Sequence, residues 1–399
     1  MILPDAAWRH REGLDHLVEV LGDARFVGGS VRDTLLGIPV SDLDVATPLS
    51  PARVVELLKA AKIRVVPTGI DHGTVTAVLE SGHVEVTTLR RDVSTDGRRA
   101  TVAFTDDWRE DAARRDFTIN ALYADPRTGE VFDYFGGLAD LEARHVRFIG
   151  DPFQRIAEDH LRILRFFRFL ARFGDIADPA ALEACTARAK DLMALSRERI
   201  RDELLKLLVA RDAVNVIALM VERGIFEPVL PEIDMAGVQR LKRLIDAEQS
   251  AQVAPGTIRR LAALIPQDAK TGEAIGARLK LSNAERKALL SALVPFQGSP
   301  YELAYRIGTA AAIDRILLSD WEPFDRDIAV RHLGSWEVPV FPFSGGMLVE
   351  RGIRRGPEVA RVLRLVEDQW IAERFPDASR VVELADAAVA QALRSTSSA

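Results

Sequence analysis

The hydrophobic periodicity of this 399-residue chain changes once, near Gly150, and that change limits the possible folds more than any other feature. Before it, short β-rich runs bounded by Gly, Pro or Asp recur: RFVGG, DLDVAT, IRVVP, TVTAVLE, HVEVTTL, TVAF, VFDYF and VRFIG. Helical patterns intervene over Pro51 to Ala61 and Asp107 to Tyr123, which makes an α/β or α+β head. After Gly150 the strand signals nearly vanish. FQRIAEDHLRILRFFRFLARF, ERIRDELLKLLV and AVNVIALMVERG carry apolar residues at spacings of three and four, so the remainder reads as all-helical. Gly224 with Pro228 and Pro231, Val253 to Gly256, and Pro295 to Pro300 divide it into three helical subdomains, and Pro357 suits the first position of a late helix.

With 48% hydrophobic and 28% charged residues, the chain has the balance of a globular protein, with disorder expected only at the ends. It shows neither a basic-then-apolar leader nor a run of about 20 apolar residues, so the sequence predicts a cytoplasmic protein. A single cysteine, Cys185, excludes an intrachain disulfide and a thiolate metal cluster. The net charge of -6 argues against indiscriminate polyanion binding. Yet seven arginines and three acids lie between Arg144 and Arg172, a local basis for binding phosphate.

In Ser41 to Val45 the period-two alternation of a strand puts Asp42 and Asp44 on one face. Close carboxylates repel, so the pair makes sense with Mg²⁺ between it and phosphate oxygens. Two such ions about 4 Å apart would activate a hydroxyl and stabilise leaving pyrophosphate. Gly28 and Gly29 follow a short strand and precede a helix-compatible run, so backbone N–H groups can approach a phosphate, with Arg32 one turn in. Glu85 shares a strand face with His83 and Thr87 and would complete an acidic triad; the same alternation equally describes an exposed strand face. Asp116 and Asn120 are four apart, suited to a ribose with Arg115 on phosphate, although helix-surface salt bridging fits the same residues. Asp159, Arg162, Arg165, Arg168 and Arg172 advance by three or four and trace one helical stripe, on which Asp159 with Arg162 would read a base edge of cytosine or adenine.

GGSVRDTLLG with DLD, RRDFTINAL, DYFGGLADL, EDHLRILR and SRERIRDELLKLL occur in the order found in the class II CCA-adding tRNA nucleotidyltransferase and bacterial poly(A) polymerase family, which the chain resembles over roughly residues 25–210 and more weakly to the C-terminus. The resemblance implies an α+β chain, with a mixed-sheet catalytic head (1–147), a nucleotide-selecting neck (148–210), a body (211–295) and a tRNA-binding tail (296–399). It implies Mg²⁺ on Asp42 and Asp44, with Glu85 as third carboxylate. It also places Gly29, Arg32 and Arg115 on the triphosphate and Asp116 near the ribose. Asp159 and Arg162 would be the protein template for CTP and then ATP, supported by Arg165 and Arg168. Asp133, Gly136 and Gly137 match a head-to-neck hinge, and SRERIRDELLKLL would stiffen the neck. The partner implied is the acceptor arm of tRNA, gripped by phosphate contacts for which arginines 351, 354, 355, 361 and 364 are candidates.

Family members add CCA, CC alone, A alone or a poly(A) tail. Arg90 to Arg109 resembles the full flexible loop of the CCA-adding members, which favours complete CCA synthesis. A poly(A) polymerase and a catalytically silent RNA-binding protein are the rival expectations. In the tail the chain departs from the family pattern at Met347, often Asp, and Ala360, often Gly. No His-Asp doublet or Walker A pattern occurs, so His72 reads as a loop residue.

Overall fold

Alternating valines and alanines build the head. The computed structural model describes residues 1–70, 73–96 and 99–396, so His72 lies outside the described residues. In chain order the head contains α1 (Leu14–Leu21), β1 (Arg25–Val27), α2 (Gly29–Leu35), β2 (Asp44–Thr47), α3 (Pro51–Ala60), β3 (Arg64–Gly69), β4 (Thr74–Leu79) and β5 (Gly82–Thr88). There follow β6 (Arg90–Asp96), β7 (Arg99–Phe104), α4 (Trp108–Ala113), β8 (Leu122–Ala124), β9 (Val131–Asp133), α5 (Gly137–Glu142) and β10 (His145–Val146). Seven strands form one mixed sheet in the order β3-β4-β5-β2-β1-β8-β9, with β2 and β5 parallel and the other neighbours antiparallel.

Val45, Val84 and Val86 are buried on one side of the sheet, where α3 lies against β3, β4 and β5. The opposite side carries Ala46, which packs with Val27, Ala112 and Tyr123 beneath α4. Asp44 shares that side, because it stands two residues before Ala46.

The helical continuation runs through α6 (Pro152–Glu158), α7 (Arg162–Phe173), the short strand β11 (Ile176–Ala177), α8 (Pro179–Ala187), α9 (Arg197–Leu208) and α10 (Ala213–Glu222). Phe117 from the head and Phe148, just past its end, pack with Phe166 and Phe169 of α7, with ring centroids of Phe117 and Phe169 5.0 Å apart. All of this belongs to one compact unit, Met1–Val238 with Arg278–Lys280. The second unit, Gln239–Ala277 with Leu281–Ala399, is helical, and its last helices bury Trp370, Val366 and Val381 in a core against which Met347 packs. Helix starts follow the proline and gap signals, Pro357 standing at the first position of the helix Pro357–Ala372.

Two local expectations are corrected. The helix expected over Asp107 to Tyr123 stops at Ala113. Phe117 is extended and bridges to Phe148, while Leu122 to Ala124 join the sheet as β8. The helix expected through Asp159 is broken there, because its carboxylate accepts the Leu161 N–H at 3.1 Å in place of the helical ladder. Within Arg90 to Arg109, likened to the family's flexible loop and with TVAF read as a strand, β6 and β7 pair as an antiparallel hairpin, Gly97 and Arg98 lying outside the described residues.

Candidate active site

Register decides which carboxylates meet. In the parallel pair of β2 and β5, Asp44 is the direct partner of Glu85, so their side chains leave the same face side by side. Asp42, expected on the strand face beside Asp44, instead lies in an exposed segment before the strand begins, where it accepts a hydrogen bond from Ser41 Oγ at 2.9 Å. Burial, with Glu85 and Asp42 adding repulsion, raises the Asp44 carboxyl to about 6 against the pull of Arg115. Among the described residues no three His, Cys, Asp or Glu side chains are grouped closely enough to hold a cation, and no hydrogen bond reaches the Asp44 carboxylate. A half-buried carboxyl raised by two like charges has the donor chemistry that a divalent cation relieves.

Beside it β1 turns into α2 through Gly28, whose φ of +68° and ψ of −117° suit glycine alone. A Cβ on Gly28 would stand 3.4 Å from Arg115 Nη1, which shows how closely that guanidinium approaches the turn. Arg32, on α2, is buried with its guanidinium 4.0 Å over the Phe173 ring and donates to Asp33 and to Asn120 Oδ1. Asn120 donates to Asp116 Oδ1 at 2.9 Å, and Arg165 Nε donates to Asp116 Oδ2 at 2.7 Å. Asp116 and Asn120 therefore meet as expected, but across a short turn, Thr118–Asn120, rather than along an α-helix. Burial alone would raise the Asp116 carboxyl, but Arg165, Asn120 and the Phe117 N–H hold it at about 2.

The proposed base readers stand at the junction of α6 and α7. Asp159 accepts from Arg199 at 2.7 Å, and Arg162 donates to Glu158 and, at 2.8 Å, to the Arg155 carbonyl. Arg168 turns to Glu203 of α9 and lies 4.5 Å over the Phe169 ring.

Ten of the thirteen residues expected at the site line a single cleft of about 540 Å³; Asp42, Glu85 and Arg168 do not. Six arginines and three aspartates surround it, so its excess charge suits a triphosphate. The sequence reading left out Arg90, Arg114 and Phe169, which also line it, and two supporting groups. Arg155 donates to the Arg114 and Arg115 carbonyls, and Asp111 binds both of their side chains. A larger cleft of about 1070 Å³ in the second unit is a weaker candidate. There Arg240 and Arg315 are committed to main-chain carbonyls and Arg326 to Asp327, while Asp246 and Asp320 add negative charge.

A mixed sheet that pairs carboxylates beside a glycine turn and an arginine-lined cleft is suited to binding a nucleoside triphosphate. Residues 24–147 match the poly A polymerase head domain, and residues 177–236 match the probable RNA and SrmB-binding site of polymerase A. The chain is 36% identical over 385 residues to the mitochondrial CCA tRNA nucleotidyltransferase 1 of Mus musculus, an alignment spanning 90% of this chain and 86% of that one. It is 32% identical over 372 residues to the CCA-adding enzyme of Limosilactobacillus fermentum, covering 90% and 91%. The crystal structure of the Bacillus stearothermophilus CCA-adding enzyme in complex with CTP superposes with a TM-score of 0.76 at 25% identity, covering 96% of this chain and 97% of that one. The chain belongs to the CCA tRNA nucleotidyltransferase family. Among its described residues no helix is long and apolar enough to cross a membrane.

Proposed function

We propose that this chain completes the 3′ end of tRNA, adding C, C and A from CTP and ATP without a nucleic-acid template and releasing pyrophosphate at each step. The observation that carries the reading is the register pairing of Asp44 with Glu85, with Asp44 lining the same arginine-rich cleft as Asp159 and Arg162. Arg32 and Arg115, with the Gly28–Gly29 turn, hold the triphosphate, and Asp116 with Asn120 orients the ribose. Asp159 and Arg162 accept and donate at the base edge, a pattern that cytosine and adenine satisfy and uracil and guanine oppose. The tRNA 3′ oxygen then attacks the α-phosphorus as the bond to pyrophosphate breaks. Asp42 and Asp44, with Glu85 beside them, would hold divalent cations, proposed as Mg²⁺, which when bound supply charge that activates the hydroxyl and stabilises the leaving group. Asp42 stands two residues from Asp44, and its charge already acts on that carboxyl. Residues 1–147, 148–210, 211–295 and 296–399 are assigned as head, neck, body and tail, the last two gripping the acceptor arm. A cytoplasmic site of action is part of the proposal, although the mouse relative is mitochondrial by name.

Poly(A) synthesis is the second reading, favoured by the match of residues 24–147 to a poly A polymerase head. A silent RNA-binding protein has no use for two carboxylates set side by side on neighbouring strands. Purified protein with Mg²⁺ should label a tRNA lacking its 3′ CCA from CTP and then ATP, and a chelator should stop it. Asp44→Ala should slow labelling by about a thousandfold or more while tRNA binding changes little. Wild-type labelling by Asp44→Ala would overturn the assignment.

A further inference from the structure

Asp111 sits on α4 with only 1% of its surface exposed, and both of its carboxylate oxygens are fully engaged. One accepts the backbone N–H of Arg90 at 3.2 Å and the Arg114 guanidinium, from Nε and Nη2, at 2.8 Å. The other accepts the Tyr123 hydroxyl at 2.6 Å and Arg115 Nη2 at 3.1 Å. Tyr123 in turn accepts from Arg115 Nε at 3.1 Å, so two of the three guanidinium nitrogens are fixed and Nη1 is left toward Gly28. Arg90, Arg114 and Arg115 all line the cleft. Two adjacent guanidinium groups repel each other, and one buried anion between them offsets that repulsion while setting their direction. The spacing serves the purpose: Asp111 is three and four residues before its two arginines, one helical turn away.

We propose that Asp111 is a positioning residue for the nucleotide phosphates, acting through Arg115 and Arg114 and tying them to the first residue of the β6–β7 hairpin. Burial works against its ionised form, but Arg115, Arg114 and the Tyr123 hydroxyl outweigh burial and hold the carboxyl low, so it stays an anion throughout the working pH range. The inference rests on the reading that Arg115 meets the triphosphate. Nothing in it requires Asp111 to touch substrate.

The test is steady-state kinetics on the full-length protein with a tRNA lacking its CCA end, comparing Asp111→Asn, Arg115→Met and the double variant. Loss of a charged hydrogen bond at Arg115 should raise KM for CTP by about tenfold or more in Asp111→Asn. KM for tRNA should stay within about twofold, because phosphate positioning at the nucleotide site does not involve the acceptor arm. The double variant should be no worse than Arg115→Met, since Asp111 acts through that side chain. If Arg115→Met leaves KM for CTP unchanged, the phosphate reading itself fails. If Arg115→Met raises it while Asp111→Asn does not, or the two effects multiply, the inference about Asp111 is overturned. Should Asp111→Asn fail to fold, Tyr123→Phe removes one donor from the same carboxylate, and an unchanged KM for CTP in that variant would equally overturn it.

Discussion

The Arg162 guanidinium is already engaged, by Glu158 and by the Arg155 and Arg114 carbonyls, so its direction is set before any base arrives. Preset direction is what a template needs, because a wandering donor accepts any base. Arg162→Ala should therefore lower the preference for CTP over UTP by about 1–3 kcal/mol, roughly five- to 150-fold in the kcat/KM ratio. An unchanged ratio would contradict the template role. Acid stability offers a second check at this scale. Burial works against ionised Asp116, but Arg165 and Asn120 outweigh it and hold the carboxyl near 2, below the ordinary 3.8. A depressed carboxyl stabilises the fold fully above about 4 and loses that contribution as pH falls through 2, on the order of 2 kcal/mol in all. Urea midpoints taken at pH 6 and pH 3 should fall less for Asp116→Asn than for the wild type; an equal fall would refute the pairing. Most of these residues were legible from their type and spacing. Asp111 was not, because an acid in a first helical turn is ordinarily explained by the helix dipole.

At the level of elements, strands β1 to β5 were visible because valines alternate with polar residues between turn formers. Strand β8 was hidden, since Leu122, Tyr123 and Ala124 are all buried and show no alternation. The break at Asp159 was equally hidden, because the apolar spacing of α6 continues into α7 with no proline or glycine between. The hairpin of β6 and β7 is rooted where the Arg90 N–H meets Asp111, a contact that sequence spacing alone does not reveal. Gly137, expected at a hinge, opens α5 with no room for a side chain: a Cβ there would lie 2.3 Å from the Thr118 carbonyl oxygen. Asp133 ties down the same turn by accepting the N–H groups of Gly137 and Leu138, each at 2.9 Å. Gly137→Ala should cost about 1–3 kcal/mol in urea unfolding, since the opposing atom is backbone and cannot step aside cheaply. An unaltered midpoint would show that the turn yields.

Across the whole molecule, charge is arranged against its average. A chain of net charge -6 gathers six arginines around one cleft, so attraction for triphosphate is local. In the second unit, Arg351 pairs with Asp386 at 2.7 Å and Arg361 with Glu358 at 2.6 Å. Such exposed pairs contribute little, so they do not take either arginine out of contention for phosphate. Met347 packs against the core of that unit, which accounts for an apolar residue where the family pattern often has Asp. The most direct test of the account is to incubate the purified protein with Mg²⁺, CTP, ATP and a tRNA ending before its CCA, and to sequence the 3′ ends produced. Addition of C, C and A followed by a stop is the predicted result. A long run of A, a stop after CC, or no addition at all would contradict it.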